Sequence, residues 1–164
     1  MAATDEMVCF ALYAATRATT QAYRALLEPW GLTYPQYLVL VTLWLDGDQT
    51  VSSLGDRLQL DSGTLSPLLR RMESSDLIVR ERRSSDERVV SIGLTPHSRR
   101  LREELREIPR QIAEGFALPD RTSAEDLIRT LHAISSSMHE VAAAGAPQPS
   151  PVRTSAPRSE GDRS

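Results

Sequence analysis

Cys9 is the only cysteine in 164 residues, and its thiol is the most reactive side chain in the sequence. One cysteine excludes an intrachain disulfide and a cysteine-built zinc cluster. Two roles remain, a small buried hydrophobe or a nucleophile. A free thiol ionises near about 8.5, and it is the thiolate that attacks electrophiles such as peroxides. The tyrosines Tyr13, Tyr23, Tyr34 and Tyr37 all lie in the same N-terminal quarter of the chain. Tyr13 stands one helical turn beyond Cys9, on the same face of a helix. His97, His132 and His139 are scattered without ligand spacing, so neither a metal site nor a cofactor is expected.

A second group of residues suits nucleic acid. Asp61, Ser62, Gly63, Thr64 and Ser66 place short polar side chains and a glycine at the start of a helix, where the backbone can approach base edges and phosphates. Arg70 and Arg71 follow on that helix, with reach for phosphate or guanine. Arg80, Arg82, Arg83 and Arg88 then crowd into nine residues. Asp86 and Arg88 are two apart and project to one side of an extended chain. The carboxylate can thus orient the guanidinium for a narrow minor groove.

The net charge of −3 argues against a nucleic-acid binder, but the charge is unevenly spread. Residues 51–100 hold nine arginines against seven acids, and the rest of the chain ten against fifteen. A local basic feature matters more for DNA than the global sum. The longest apolar run, Leu38 to Leu45, is too short to span a membrane and contains Thr42. The N-terminus shows no secretion signal, so a cytoplasmic protein is expected.

These groups need elements to hold them. Residues 6–29 carry apolar positions at helical spacing (Val8, Leu12, Ala15, Tyr23, Leu26) and predict one long helix. Thr33-Tyr-Pro-Gln36 reads as a capping box with proline in the first turn, opening a second helix through Leu45 that is apolar almost all round and hence central. Ser53–Gln59 and Ser62–Ser75 form two more helices, the latter capped by Asp61, with a tight turn between them: a helix-turn-helix. Leu77–Arg82 and Val89–Leu94 alternate as strands around a charged tip and form a hairpin.

Thr95-Pro96 caps a helix to about Gly115, kinked at Pro109. Thr122-Ser-Ala-Glu125 is a capping box for a last helix to about Ala144. The resulting class is mainly α with a small β-hairpin wing: a winged helix-turn-helix over 33–95, flanked by helices over 6–32 and 96–144. The flanking helices are more than DNA reading needs and are most simply a dimerisation domain, because symmetric DNA sites are read by two-fold dimers. Residues 145–164, rich in Pro, Ser and Arg, read as a disordered tail.

The stretch Leu60-Asp-Ser-Gly-Thr-Leu-Ser-Pro-Leu-Leu-Arg-Arg-Met-Glu73, followed by Ser84-Ser-Asp-Glu-Arg88 and Leu94-Thr95, resembles the MarR family of winged-helix regulators over about residues 6–143. Within that family, Cys9-Phe-Ala-Leu-Tyr13, Gln21-Ala-Tyr23 and Leu32-Thr-Tyr34-Pro-Gln-Tyr37 resemble the organic-hydroperoxide-responsive, OhrR-like branch, here of one-cysteine type.

The resemblance implies that Cys9 senses peroxide and that Tyr23 and Tyr34 hydrogen-bond it from the other subunit of a homodimer. It also implies a pseudo-palindromic double-stranded DNA operator, read by Asp61, Ser62, Gly63, Thr64, Ser66, Arg70, Arg71, Arg83, Asp86 and Arg88. Helical rise agrees with the cross-subunit contact. Cys9 and Tyr23 are about 21 Å apart along one helix and meet only if two first helices run antiparallel. Tyr13 is then a local lid, and apolar neighbours (Phe10, Leu12, Trp30) favour greasy organic hydroperoxides over hydrogen peroxide. Without a resolving cysteine, the sulfenic acid formed is completed by a small thiol or overoxidises.

Three other readings remain open: a MarR-type repressor released by a small aromatic ligand, a one-cysteine thiol peroxidase, and an architectural DNA binder with little sequence preference. The first would be indifferent to Cys9→Ser. The second would turn over many times with a thiol reductant.

Overall fold

The computed structural model describes residues 3–82 and 90–145. They form seven α-helices and a three-stranded antiparallel sheet. The chain divides into two compact units, residues 1–117 and 118–164.

In the first unit, α1 (Val8–Leu27) is preceded by a short 3-10 turn and followed by another, Glu28–Trp30. The second turn begins with Glu28-Pro29, where the missing proline N–H stops the α-helical ladder. Gly31, at φ 63°, reverses the chain. Next comes α2 (Tyr34–Asp46), opened by the expected capping box, in which Gln36 Oε1 accepts from the Thr33 backbone N–H at 2.8 Å. Tyr37, Val39, Leu40 and Leu43 of α2 are buried, but Leu45 is 70% exposed, so the helix is central on one face only.

The helix-turn-helix follows as α3 (Val51–Leu58) and α4 (Ser62–Ser74). α3 starts two residues earlier than its sequence suggests, because the Thr50 side chain accepts from Ser53 N–H and caps it there. A Cβ on Gly55 would meet the Leu60 carbonyl at 3.1 Å, so glycine lets the turn fold back onto α3. Leu65, Leu68, Leu69 and Met72 bury one face of α4 against Leu40, Leu43 and Leu54 in a single core. Each fully buried leucine contributes roughly 1.5–3 kcal/mol, so this cluster dominates the stability of the unit.

β2 (Ile78–Arg82) and β3 (Val90–Leu94) form the antiparallel wing, with Ile78 opposite Leu94 and Arg82 opposite Val90. The sequence reading has no counterpart for β1 (Gln49–Thr50), which pairs with the other edge of β3 and gives the order β1-β3-β2. Two residues are too few to show any periodicity.

The single kinked helix expected from Pro96 to Gly115 is instead two, α5 (Pro96–Glu104) and α6 (Ile108–Gly115). Pro109 cannot donate to the Leu105 carbonyl, which accepts from Ile108 N–H at 3.1 Å instead. The proline thus sits in the first turn of a new helix, where its missing donor costs nothing.

The second unit contains α7 (Arg121–Ala144). Its cap is Asp120, whose Oδ1 accepts from Ser123 N–H at 2.7 Å, rather than the Thr122 box. A carboxylate is the stronger acceptor, and Glu125 pairs with Arg121 instead of reaching back. α7 has no buried residue. No helix among the described residues is long and apolar enough to cross a membrane.

Candidate functional site

The described DNA-reading candidates all belong to α4 or its cap and lie on the side of the helix away from the core. Asp61 caps α4: Oδ1 accepts from Thr64 N–H and Oδ2 from the Thr64 hydroxyl, both at 2.9 Å. These bonds hold the Asp61 carboxyl below the usual carboxylate range. Ser62, Gly63 and Thr64 are exposed in the first turn, and Ser66 is half-buried. A Cβ on Gly63 would lie 2.9 Å from Asp61 Oδ1, so glycine leaves room for the cap. Pro67 lies within α4 on the exposed side and leaves the Gly63 carbonyl without its ladder donor. Arg70 and Arg71 are exposed and unpaired with any acid among the described residues. Arg80 of the wing pairs with Glu73 at 3.2 Å and so ties β2 to α4. Arg83, Asp86 and Arg88 lie outside the described residues.

Cys9 stands in the first turn of α1, whose N-cap, Met7, makes no side-chain cap bond. The thiol is exposed in the single chain, and so are Met7, Val8, Phe10 and Tyr13 around it. The buried apolar pocket expected of Phe10, Leu12 and Trp30 is therefore not present within one chain. Phe10 is 42% exposed and Leu12 half-buried. Trp30 lies beyond the far end of α1, where its Nε1 donates to Glu104 at 2.8 Å. Tyr13 faces Phe10, ring centroids 6.5 Å apart, and its hydroxyl accepts from Arg17 at 3.1 Å.

Tyr23 and Tyr34 come together at the other end of α1. Their rings stack with centroids 4.1 Å apart and planes 22° from parallel. Burial, with smaller contributions from Tyr34 and Tyr37, pushes the Tyr23 phenol up to about 12. Burial also raises Tyr34. Both phenols therefore remain protonated donors across the physiological range.

The sequence reading gave Tyr37 no role, although its spacing from Tyr34 puts both on one face of α2. Tyr37 is 4% exposed, 5.7 Å from Tyr23 and 6.2 Å, edge-on, from Trp44. A groove of about 650 Å³ opens beside the pair, between Thr20, Gln21, Arg24 and Glu28 on one side and Leu32 to Pro35 on the other. Cys9 and the tyrosine pair thus occupy opposite ends of one helix and do not meet in a single chain.

The chain is similar to known transcriptional regulators. A family model described as the transcriptional regulator SarA/Rot matches residues 21–105. Over 136 residues the chain is 40% identical to the organic hydroperoxide resistance transcriptional regulator of Bacillus subtilis, covering 83% of this chain and 92% of that protein. Reduced AbfR bound to DNA superposes with a TM-score of 0.68 at 35% identity, covering 82% of this chain and 91% of that one. AbfR, from Staphylococcus epidermidis, is also similar in its disulfide-formed state, with a TM-score of 0.56 at 37% identity over 77% and 88% of the two chains. Half the chain matches the family model, and the Bacillus relative is matched over nearly its full length. The chain therefore belongs to the SarA/Rot and MarR-type family of winged-helix transcriptional regulators.

Proposed function

We propose that the chain is a cytoplasmic, homodimeric repressor that holds a pseudo-palindromic operator in its reduced state and releases it when Cys9 is oxidised by an organic hydroperoxide. The observation that carries this reading is the stacked, protonated Tyr23–Tyr34 pair at one end of α1, with an exposed thiol at the other. An antiparallel second copy brings the two ends together and covers the apolar residues around Cys9. The 40% identity to a regulator named for organic hydroperoxide resistance supports it.

Dimerisation is supported by α7, where Leu127, Leu131, Ile134, Met138 and Val141 recur at alternating spacings of four and three. That is the seam of a helix made to pack on another. All but Ile134 are exposed in the single chain. In the dimer, residues 6–32 and 96–144 hold the copies together and 33–95 reads DNA. The first turn of α4 approaches base edges, and Arg70, Arg71, Arg83 and Arg88 neutralise phosphates or enter the minor groove, with Asp86 orienting Arg88.

The chemistry follows from the thiolate. Cys9 sulfur attacks the terminal peroxide oxygen, an S–O bond forms, the O–O bond breaks, and the alkoxide leaves and takes up a proton as the alcohol. The two phenols donate to the charged sulfur before reaction and lose that acceptor afterwards. A small thiol then condenses with the sulfenic acid, expelling water and leaving a mixed disulfide.

Intact-mass measurement after one equivalent of tert-butyl hydroperoxide tests the step. One added oxygen on Cys9, replaced by a thiol adduct when cysteine is present, is expected. Continued consumption of peroxide with thiol over many turnovers would instead identify a peroxidase.

A further inference from the structure

Tyr37 and Trp44 join the tyrosine pair to the end of the recognition helix through contacts that are all present in one chain. Tyr37 follows Tyr34 by one turn of α2 and lies against Tyr23 on one side and the edge of Trp44 on the other. Trp44, two turns further, donates its indole Nε1–H to the Ser98 carbonyl at 3.0 Å. Arg102 donates to the carbonyl of Trp44 itself at 3.2 Å, so the end of α2 is tied to α5 at two points.

Ser98 is fully buried in the first turn of α5, and its N–H donates to the Thr95 hydroxyl at 3.1 Å. That same hydroxyl donates to the Asp76 carbonyl at 2.7 Å. Asp76 takes the left-handed conformation, φ 54°, in the turn that ends α4. Such a conformation is costly for a residue with a side chain and persists only where its surroundings hold it.

We propose that Trp44, set by Tyr37, is the positioning residue that carries a change at the Tyr23–Tyr34 stack to the C-terminal end of α4. The proposal rests on the redox reading above and adds the route inside each subunit. Tyr37 has almost no free surface, so a Tyr23 ring displaced towards it, rather than into the open groove, must shift Tyr37 in turn. The neighbour on the far side is Trp44, whose indole bond is the first polar link in the sequence Trp44, Ser98, Thr95, Asp76. Moving that bond moves the cap of α5 and with it the hydroxyl that fixes the end of α4. A shift of this kind in the angle of a recognition helix removes its match to a half-site one DNA turn from the other.

The test compares Trp44→Phe with wild type, reading operator affinity before and after tert-butyl hydroperoxide and, separately, sulfenate at Cys9 by a trapping reagent. Trp44→Phe keeps an aromatic ring against Tyr37 but has no N–H for Ser98. It is expected to bind DNA when reduced and to form sulfenate like wild type. Its peroxide-induced rise in Kd should be smaller than that of wild type by about tenfold or more. Release equal to wild type would overturn the proposal.

A second measurement uses Trp30→Phe, which leaves Trp44 as the single tryptophan. Its emission is expected to change on oxidation in step with release, and an unchanged emission during release would also overturn the proposal. If Trp44→Phe fails to bind DNA when reduced, the emission measurement decides alone. Wild type that forms sulfenate yet stays on DNA would instead sink the redox reading, and the route with it.

Discussion

At the scale of single residues, one chain keeps the thiol apart from the phenols proposed to contact it. Cys9 is exposed at the start of α1, and the rings of Tyr23, Tyr34 and Tyr37 gather near its other end. Burial is the main cause of their raised pKa values, and Tyr23 reaches about 12. Folding thus favours the protonated phenol. The stability this contributes is complete below the ordinary tyrosine pKa of about 10 and is lost as pH rises through about 12. An absorbance titration should show these three tyrosines ionising late, with the main stability loss between those values. Ionisation of all tyrosines together near pH 10 would contradict the buried cluster. The motifs singled out Cys9, Tyr23 and Tyr34, and the structure brings the two tyrosines together but leaves Cys9 apart from them in one chain. The sequence could not show that Tyr37 completes the cluster, because ring packing depends on how α1 meets α2.

At the scale of elements, capping residues and hydrophobic spacing fixed most of what was read correctly. The Thr33–Gln36 box, the Asp61 cap and the buried face of α4 stand where the sequence puts them. Three local contests escaped it. Asp120 outcompetes Thr122 as a cap, Pro109 begins a helix rather than kinking one, and β1 is recognisable only through its partner strand. The two faces of α4 predict different mutational outcomes. Leu69, fully buried, should cost about 2–5 kcal/mol when cut to alanine, with DNA binding lost only as the fold is lost. Arg71→Ala should leave the melting temperature unchanged while weakening operator binding by about 1–3 kcal/mol, or lowering the salt slope by about one if its contact is to phosphate. Unchanged affinity and slope in Arg71→Ala, measured by DNA titration at several salt concentrations, would remove it from the interface.

At the scale of the whole molecule, the exposed apolar residues are concentrated near Cys9 and along α7, the two places that the proposed dimer covers. Leu127→Glu together with Leu131→Glu should shift sedimentation from dimer to monomer and weaken operator binding, since each half-site alone binds more weakly. A monomeric wild type, or a dimer indifferent to both charges, would remove α7 from the interface. Such a dimer also explains why the pocket anticipated around Cys9 is open in one chain. The apolar residues are present in the sequence, but in the proposed dimer what closes over them comes from another copy, whose packing the pattern of one chain does not specify.

The central claim, that Cys9 is the switch on DNA binding, is tested most directly by fluorescence anisotropy on the DNA upstream of the protein's own gene. Wild type and Cys9→Ser are compared with and without an organic hydroperoxide. Both proteins should bind with similar affinity when reduced, and only wild type should release on oxidation. Equal release of both, or of neither, would contradict the claim: the first would point to a regulator answering a ligand elsewhere, the second to a thiol that does not control DNA binding.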